Sequence, residues 1–255
     1  MNLGIKNKRV LVCGASQNIG ESIVKDFSKE GCKVTMIARN EKKLKKIFNS
    51  LGGKKNGHSY FVANLLEKNV IPKVINDIIK KHKKIDIIVH NIGGSLGKTE
   101  PLSNIESWKD VWNFNVGIAI EINNILIPLM IKNKWGRIVH ISSIVGQSGH
   151  LSKGSIAYAA SKSYLNSYVK GIGRTYANKN IVISAVMPGA ILAKGKYWER
   201  IKKNNPKILK NFLKEHQAIG RLGLTGEVSP FVVFLSSQQA SFACGSIIPV
   251  DGGWF

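Results

Sequence analysis

The chain has 255 residues, 44% of them hydrophobic, and carries 38 Lys and Arg against 15 Asp and Glu, a formal net charge of +23. That hydrophobic share suffices for a buried core, while the three scattered cysteines, Cys13, Cys32 and Cys244, form no C-x-x-C or Cys/His cluster and point away from a metal centre or a redox dithiol. No run is expected to span a bilayer and residues 1–8 lack a secretory signal, so the expectation is a cytoplasmic protein with reduced thiols and no membrane partner.

Short Val- and Ile-rich runs alternate with helix-length amphipathic stretches. Strand 9–13 precedes helix 19–30, strand 33–38 precedes helix 41–51, and strand 59–63 precedes helix 68–83. Strand 85–90 then leads to helix 104–132, and strand 137–141 to helix 155–177. After strand 181–187 comes a segment, 190–220, of helical pieces carrying Tyr197 and Trp198, followed by helix 226–236 and strand 246–250. The strands lack period-two alternation, as strands buried on both faces do. Repeated β-α-β order predicts a seven-stranded parallel sheet with right-handed crossovers and helices on both faces, a single Rossmann-like doubly wound α/β domain over 1–255. Segment 190–220 leaves the carboxyl end of a strand, where ligands bind in open α/β sheets, and is expected to be a substrate lid.

The first strand runs into Gly14-Ala15-Ser16-Gln17-Asn18-Ile19-Gly20 and then a helix. Small residues permit the tight turn, and the helix N-terminus offers free N–H groups to a pyrophosphate. The second strand leads into Arg39-Asn40, where a carboxylate would bind the ribose 2′-hydroxyl of NAD. Arg39 instead suits a 2′-phosphate, which it can grip bidentately. NADP(H) is therefore the preferred cofactor, with NAD(H) as the alternative.

Strand 137–141 runs into Ser142-Ser143, fifteen positions before Tyr158, and Lys162 follows Tyr158 by four. Positions i and i+4 share a helix face. A lysine cation ~4 Å from the phenol, at an effective dielectric of ~20, would favour the phenolate by roughly 4 kcal/mol before desolvation, about three pH units at most. Lys162 is thus expected to lower the pKa of Tyr158 into the working range of a general acid or base.

Together these motifs resemble the short-chain dehydrogenase/reductase family over essentially the full chain. The matching pieces are Gly14 to Gly20, Asn91-Ile92-Gly93-Gly94, Asn115 within Asn113-Phe114-Asn115-Val116-Gly117, Ser143, and Tyr158 with Lys162. Pro188-Gly189 and Val250-Asp251-Gly252-Gly253 complete the set. The resemblance implies an oxidoreductase that interconverts a carbonyl and an alcohol. It implies Tyr158 as proton donor, Ser143 as the group orienting the carbonyl oxygen, Lys162 as the holder of the nicotinamide ribose, and Asn115 as the holder of a proton-relaying water. It further implies a cofactor site with Gly14, Ser16, Asn18, Ile19 and Gly20 at the phosphates and Arg39 at the 2′-phosphate. Asn64 and Leu65 would lie beside the adenine, Asn91 and Gly93 along the adenosine, and Pro188, Gly189 and Ile191 at the nicotinamide.

Five departures imply looser cofactor binding. Asn18 stands where the family has a middle turn glycine, Gln17 where NADP-dependent members often carry a basic residue, Cys13 where threonine is usual, Asn64 where aspartate is usual, and Ala193 where a threonine often meets the carboxamide. The resemblance also implies a homotetramer or homodimer, paired through helices 104–132 and 155–177.

Within the family the chain looks most like 3-oxoacyl-[acyl-carrier-protein] reductases, in Gly220-Arg221-Leu222-Gly223 and the closing Asp251-Gly252-Gly253. The implied substrate is a small-molecule or carrier-bound carbonyl. Residues 194–214 hold eight Lys and Arg against one Glu, a basic lid suited to an acidic carrier, coenzyme A or a phosphorylated compound. One alternative is a sugar, polyol or small-ketone dehydrogenase. Another is a non-catalytic nucleotide-binding regulator, which the complete set of Asn115, Ser143, Tyr158 and Lys162 opposes. The remaining basic residues are scattered without interleaved aromatics, so no nucleic-acid partner is expected.

Overall fold

The computed structural model describes residues 1–148 and 155–254. In chain order, β1 (Arg9–Cys13), α1 (Asn18–Lys29), β2 (Lys33–Ala38), α2 (Glu41–Ser50), β3 (Ser59–Val62) and α3 (Val70–His82) build one half of the molecule. Next come β4 (Ile87–His90), α4 (Ile105–Trp112), α5 (Ile118–Lys132), β5 (Gly136–Ile141), α6 (Val145–Ser148), α7 (Ile156–Tyr176) and β6 (Ile181–Pro188). The last stretch comprises β7 (Ile191–Leu192), α8 (Tyr197–Asn204), α9 (Pro206–His216), β8 (Gly223–Leu224), α10 (Thr225–Leu235) and β9 (Ile247–Val250).

The large sheet runs β3-β2-β1-β4-β5-β6-β9, every neighbouring pair parallel. Winding reverses between β1 and β4, which leaves a crevice at their carboxyl ends. Val10 and Val12 face a core shared with Ile23, Phe27 and Val232 of α1 and α10. Leu11 and Cys13 face the opposite core, with Ile75 of α3 and Ile122 of α5. Both strand faces are thus apolar, which is why no alternation is visible in the sequence.

The expected sheet is present, and most boundaries agree with those read from the sequence to within two residues. The stretch 104–132 is the exception. It is not one regular helix but α4, a π turn over Asn113–Gly117, and α5. Asn115 supplies the cause: its side-chain Nδ2 donates to the Val111 carbonyl at 2.7 Å, the acceptor that its own N–H would take in a regular helix. The same stretch, Ile105–Lys132, reaches a mean hydropathy of 1.6, enough by length and composition to cross a membrane, against the expectation that no run would. Half of that window is buried in the fold; Ile118, Ile122, Leu126 and Met130 pack on the sheet.

Segment 190–220 starts at β7, which pairs with β8 through Ile191 and Gly223 and so closes the segment's base. Helices α8 and α9 rise from it around their own small core of Ala190, Phe212 and Leu222, with Trp198 and Trp254 packed alongside.

Candidate active site

A cleft of about 800 Å³ opens where the segments following β1 to β6 converge. Its floor is the turn after β1. Gly14 adopts φ +80° and its N–H donates to Ile37 O at 2.9 Å, bending the chain back over β2. A Cβ on Gly14 would come within 2.5 Å of Asn91 O, and one on Gly20 within 2.1 Å of Gly14 O. Asn91 clamps this packing by donating from Nδ2 to Gly14 O at 2.9 Å. Asn18 takes the left-handed φ of 53° that the family's glycine would supply, so the turn survives the substitution. Gln17 precedes α1 without a side-chain cap, which leaves first-turn N–H groups for a ligand.

At the far end Arg39 and Asn40 follow β2 and line the cleft with Lys43, in the first turn of α2. Lys43 Nζ donates to Gln17 Oε1 at 2.7 Å, which carries an ammonium to the very turn position where the basic residue was missing. Sequence reading missed Lys43 because it stands among Lys42, Lys45 and Lys46. Phe114 also lines the cleft and was not anticipated there, while Lys196 and Trp198 reach it from the expected lid. No carboxylate lines it among the described residues.

Ser143, Tyr158 and Lys162 meet on the opposite wall. Ser155 caps α7 by accepting from Tyr158 N at 3.2 Å, which fixes Tyr158 in the first turn and Lys162 one turn on. The Ser143 side chain stands close enough to the Tyr158 hydroxyl to favour its ionised form. Lys162 is 2% exposed, donates from Nζ to Ile141 O at 2.8 Å, and lies 5.7 Å from the Tyr158 ring centroid.

The charges differ from the expectation. Burial pushes the Tyr158 phenol above its ordinary value, and Ser143 draws it part of the way back. Burial drives Lys162 itself down to about 7. The group that lowers the Tyr158 pKa is therefore Ser143, not Lys162. Desolvation penalises the lysine's own charge, and its ammonium is turned to the backbone of β5.

Gly14, Ser16, Asn18, Ile19, Arg39, Asn64, Leu65, Asn91, Gly93, Pro188, Gly189 and Ile191 all line the cleft with the catalytic candidates. Gly20 and Asn115 stand behind the wall. Asn115 Nδ2 donates to Gly94 O (2.8 Å) and Val111 O (2.7 Å), while Oδ1 accepts from Gly94 N at 3.0 Å. Its amide is a strut that fixes the loop after β4. A Cβ on Gly93 would lie 2.6 Å from Asn115 Oδ1 and 3.0 Å from Lys162 Nζ, so only glycine lets that loop pass between cleft and strut.

The short chain dehydrogenase family model matches residues 8–203. The chain belongs to the short chain dehydrogenase family. A 3-oxoacyl-[acyl-carrier-protein] reductase of Buchnera aphidicola is 33% identical over 99% of both chains, and one from Aquifex aeolicus is 30% identical over 100% of both. Among solved structures, the L-sorbose reductase of Gluconobacter frateurii in complex with NADPH and L-sorbose superposes with a TM-score of 0.89 at 27% identity, over 99% of this chain and 98% of that one. This short chain dehydrogenase is an NAD(P)-dependent oxidoreductase acting on a carbonyl–alcohol pair.

Proposed function

We propose that this enzyme reduces the keto group of a 3-oxoacyl thioester with NADP(H), the acyl chain being carried on an acidic carrier or on coenzyme A. The observation that carries the cofactor choice is the pairing of Arg39 and Lys43 at one end of a cleft whose described lining has no carboxylate. Such a set favours a 2′-phosphate, and nothing there would bind a ribose 2′-hydroxyl as an acid does. The glycine cradle fits a dinucleotide: Cβ atoms on Gly14, Gly20 or Gly93 would each collide with backbone or with polar side chains. Gly14, Ser16, Asn18, Ile19 and Gly20 would hold the phosphates, Asn64, Leu65, Asn91 and Gly93 the adenosine. Pro188, Gly189 and Ile191 would hold the nicotinamide, and Lys162 its ribose. The bound cofactor supplies the hydride that converts C=O to CH–O.

The chain's own residues manage the proton. The Tyr158 hydroxyl, kept protonated by burial, transfers its proton to the carbonyl oxygen, which completes the alcohol. The Ser143 hydroxyl donates its one hydrogen bond to the same oxygen and orients the carbonyl. Lys162, poised near neutrality, returns a proton to Tyr158. Asn115 holds the loop that keeps Lys162 and the cleft wall in register.

Ile191 and Trp198 give the cleft an apolar lining at the base of the lid, which favours an acyl chain over a polyol. Segment 190–220 is the lid of this single unit, and its lysines would steer an acidic partner. Exposed Ile105, Trp112, Ile156 and Tyr164 on α4 and α7 suit a homo-oligomeric interface. The free cysteines, two of them buried, suit the cytoplasm.

The test is NADPH oxidation with 3-oxoacyl thioesters on a carrier protein and on coenzyme A, with L-sorbose alongside and Tyr158→Phe as control. Thioester turnover that falls steeply with salt and vanishes in the variant supports the reading. L-sorbose as the better substrate, or a flat salt profile, refutes the carrier part.

A further inference from the structure

His90 and His140 sit opposite each other on β4 and β5, one step before Asn91 and one before Ile141. Their rings stack with centroids 4.6 Å apart at 21°, and both side chains are buried. His90 is anchored: its Nε2 lies 2.9 Å from Asn123 Oδ1, and Asn123 Nδ2 donates to the Tyr168 hydroxyl at 3.0 Å. The Tyr168 ring closes edge-on over His140 at 5.9 Å.

His140 is held by rings alone. Neither Nδ1 nor Nε2 has a hydrogen-bond partner among the described residues, and the side chain is 0% exposed. A neutral imidazole brings one N–H and one lone pair, and leaving them without partners in the interior costs folding free energy. A leucine would fill the site without that cost.

The titratable groups facing His140 are His90 from β4 and Lys162 and Tyr168 from α7; Asn123 of α5 and Ala185 of β6 bring no charge. Burial, His90 and Lys162 together hold His140 well below the ordinary histidine range, so the ring is neutral wherever the protein is folded near neutral pH. Lys162 spends one N–H on the carbonyl of Ile141, the residue next to His140.

We propose that His140 is a positioning residue for Lys162: an unpaired ring nitrogen, through one buried water, is the second acceptor for the Lys162 ammonium after the Ile141 carbonyl. The water takes an N–H from the lysine and donates to the imidazole lone pair, and the His90 stack keeps the ring aimed. An acceptor at that point favours the charged lysine against the desolvation around it. The role rests on Lys162 being the active-site lysine of the reductase described above.

Titration of Lys162 tests this directly, followed through its 13Cε shift in the cofactor-free protein and assigned with Lys162→Arg, so that the result is independent of turnover. The wild-type midpoint is expected near 7. His140→Leu should lower it by about one pH unit, a tenfold loss of proton affinity (~1.4 kcal/mol), with a melting temperature equal to or above that of the wild type. His140→Asn, which restores an acceptor, should recover part of the change. An unmoved midpoint in folded His140→Leu, or equal midpoints in the Leu and Asn variants, overturns the proposal. If the Leu variant does not fold, His90→Asn, which leaves His140 without its stacked partner, should move the midpoint the same way, and no movement overturns it. A wild type that reduces no carbonyl would count against the reductase reading alone.

Discussion

Replacing Lys162 with methionine should make the folded protein more stable below neutrality while destroying its activity. The structure sets the size of the effect. Burial takes this lysine from its ordinary 10.5 to about 7. Three and a half pH units at ~1.4 kcal/mol each give a ceiling of about 5 kcal/mol for holding the charge in the interior. The sign follows from proton counting. Below about pH 7 folded and unfolded chains both carry the proton, and the folded state bears the whole cost. Between about 7 and 10.5 the folded state has released a proton that the unfolded chain keeps, so wild-type stability climbs with pH. Above that range both are neutral and the cost is gone. Methionine never pays it, but leaves the Ile141 carbonyl short of a donor, which costs roughly 1–3 kcal/mol. Lys162→Met should therefore exceed the wild type by about 2–4 kcal/mol at pH 6, an advantage that shrinks and reverses by pH 10. Urea unfolding of the cofactor-free proteins at pH 6, 8 and 10 measures this. A wild type–variant difference that stays flat across that range would refute the assignment of Lys162 as a desolvated ammonium.

Charge reversal at the adenosine end should separate the two cofactors. Arg39→Glu and Lys43→Glu should each weaken NADPH binding ~10- to 150-fold, the worth of a charge-assisted hydrogen bond, and leave NADH affinity level or improved; calorimetry with 2′,5′-ADP against ADP reads this, and equal losses for both ligands would remove the phosphate assignment. Gly93→Ala drives a methyl to 2.6 Å from Asn115 Oδ1 and should cost about 1–3 kcal/mol of stability together with most of kcat. Gly171→Ala on α7, where a Cβ meets nothing within 4 Å, should instead gain up to about 1 kcal/mol; a similar loss in both variants would show that the Gly93 contact is not what matters.

The sheet was legible because its strands are buried on both faces, as Val10 and Leu11 show by packing into opposite cores. Tyr158 and Lys162 were legible because helical spacing places them on one wall whatever surrounds them. What escaped was set by contacts distant in sequence. The π turn depends on Asn115 reaching both Val111 and Gly94, and the second partner belongs to the loop after β4. Lys43 was hidden in a run of lysines until Gln17 singled it out. The charge of Lys162 could not be inferred from its spacing to Tyr158, since burial, which spacing does not report, decides it.

The two ends of the sheet treat charge in opposite ways, and the contrast locates function independently of any motif. At the amino end each buried charge is given fixed partners. Asp86 accepts from Arg9 N at 2.9 Å and pairs with Lys84 at 2.9 Å and Lys8 at 3.7 Å. Arg137 donates to the carbonyls of Gly136, Asn180 and Ser237, and packs on the Trp135 ring. At the carboxyl end Arg39, Lys43, Lys162 and Lys196 line one cleft with no carboxylate among its described walls. Cations gathered without counter-charges repel one another and, where buried, forfeit hydration. A fold that surrounds each buried charge with fixed partners at one end has no structural reason to gather cations without a carboxylate at the other. An anionic ligand supplies the reason: its phosphates complete the charge balance that the chain leaves open, so ligand binding should stabilise the fold most at low ionic strength, where the repulsion it relieves is least screened.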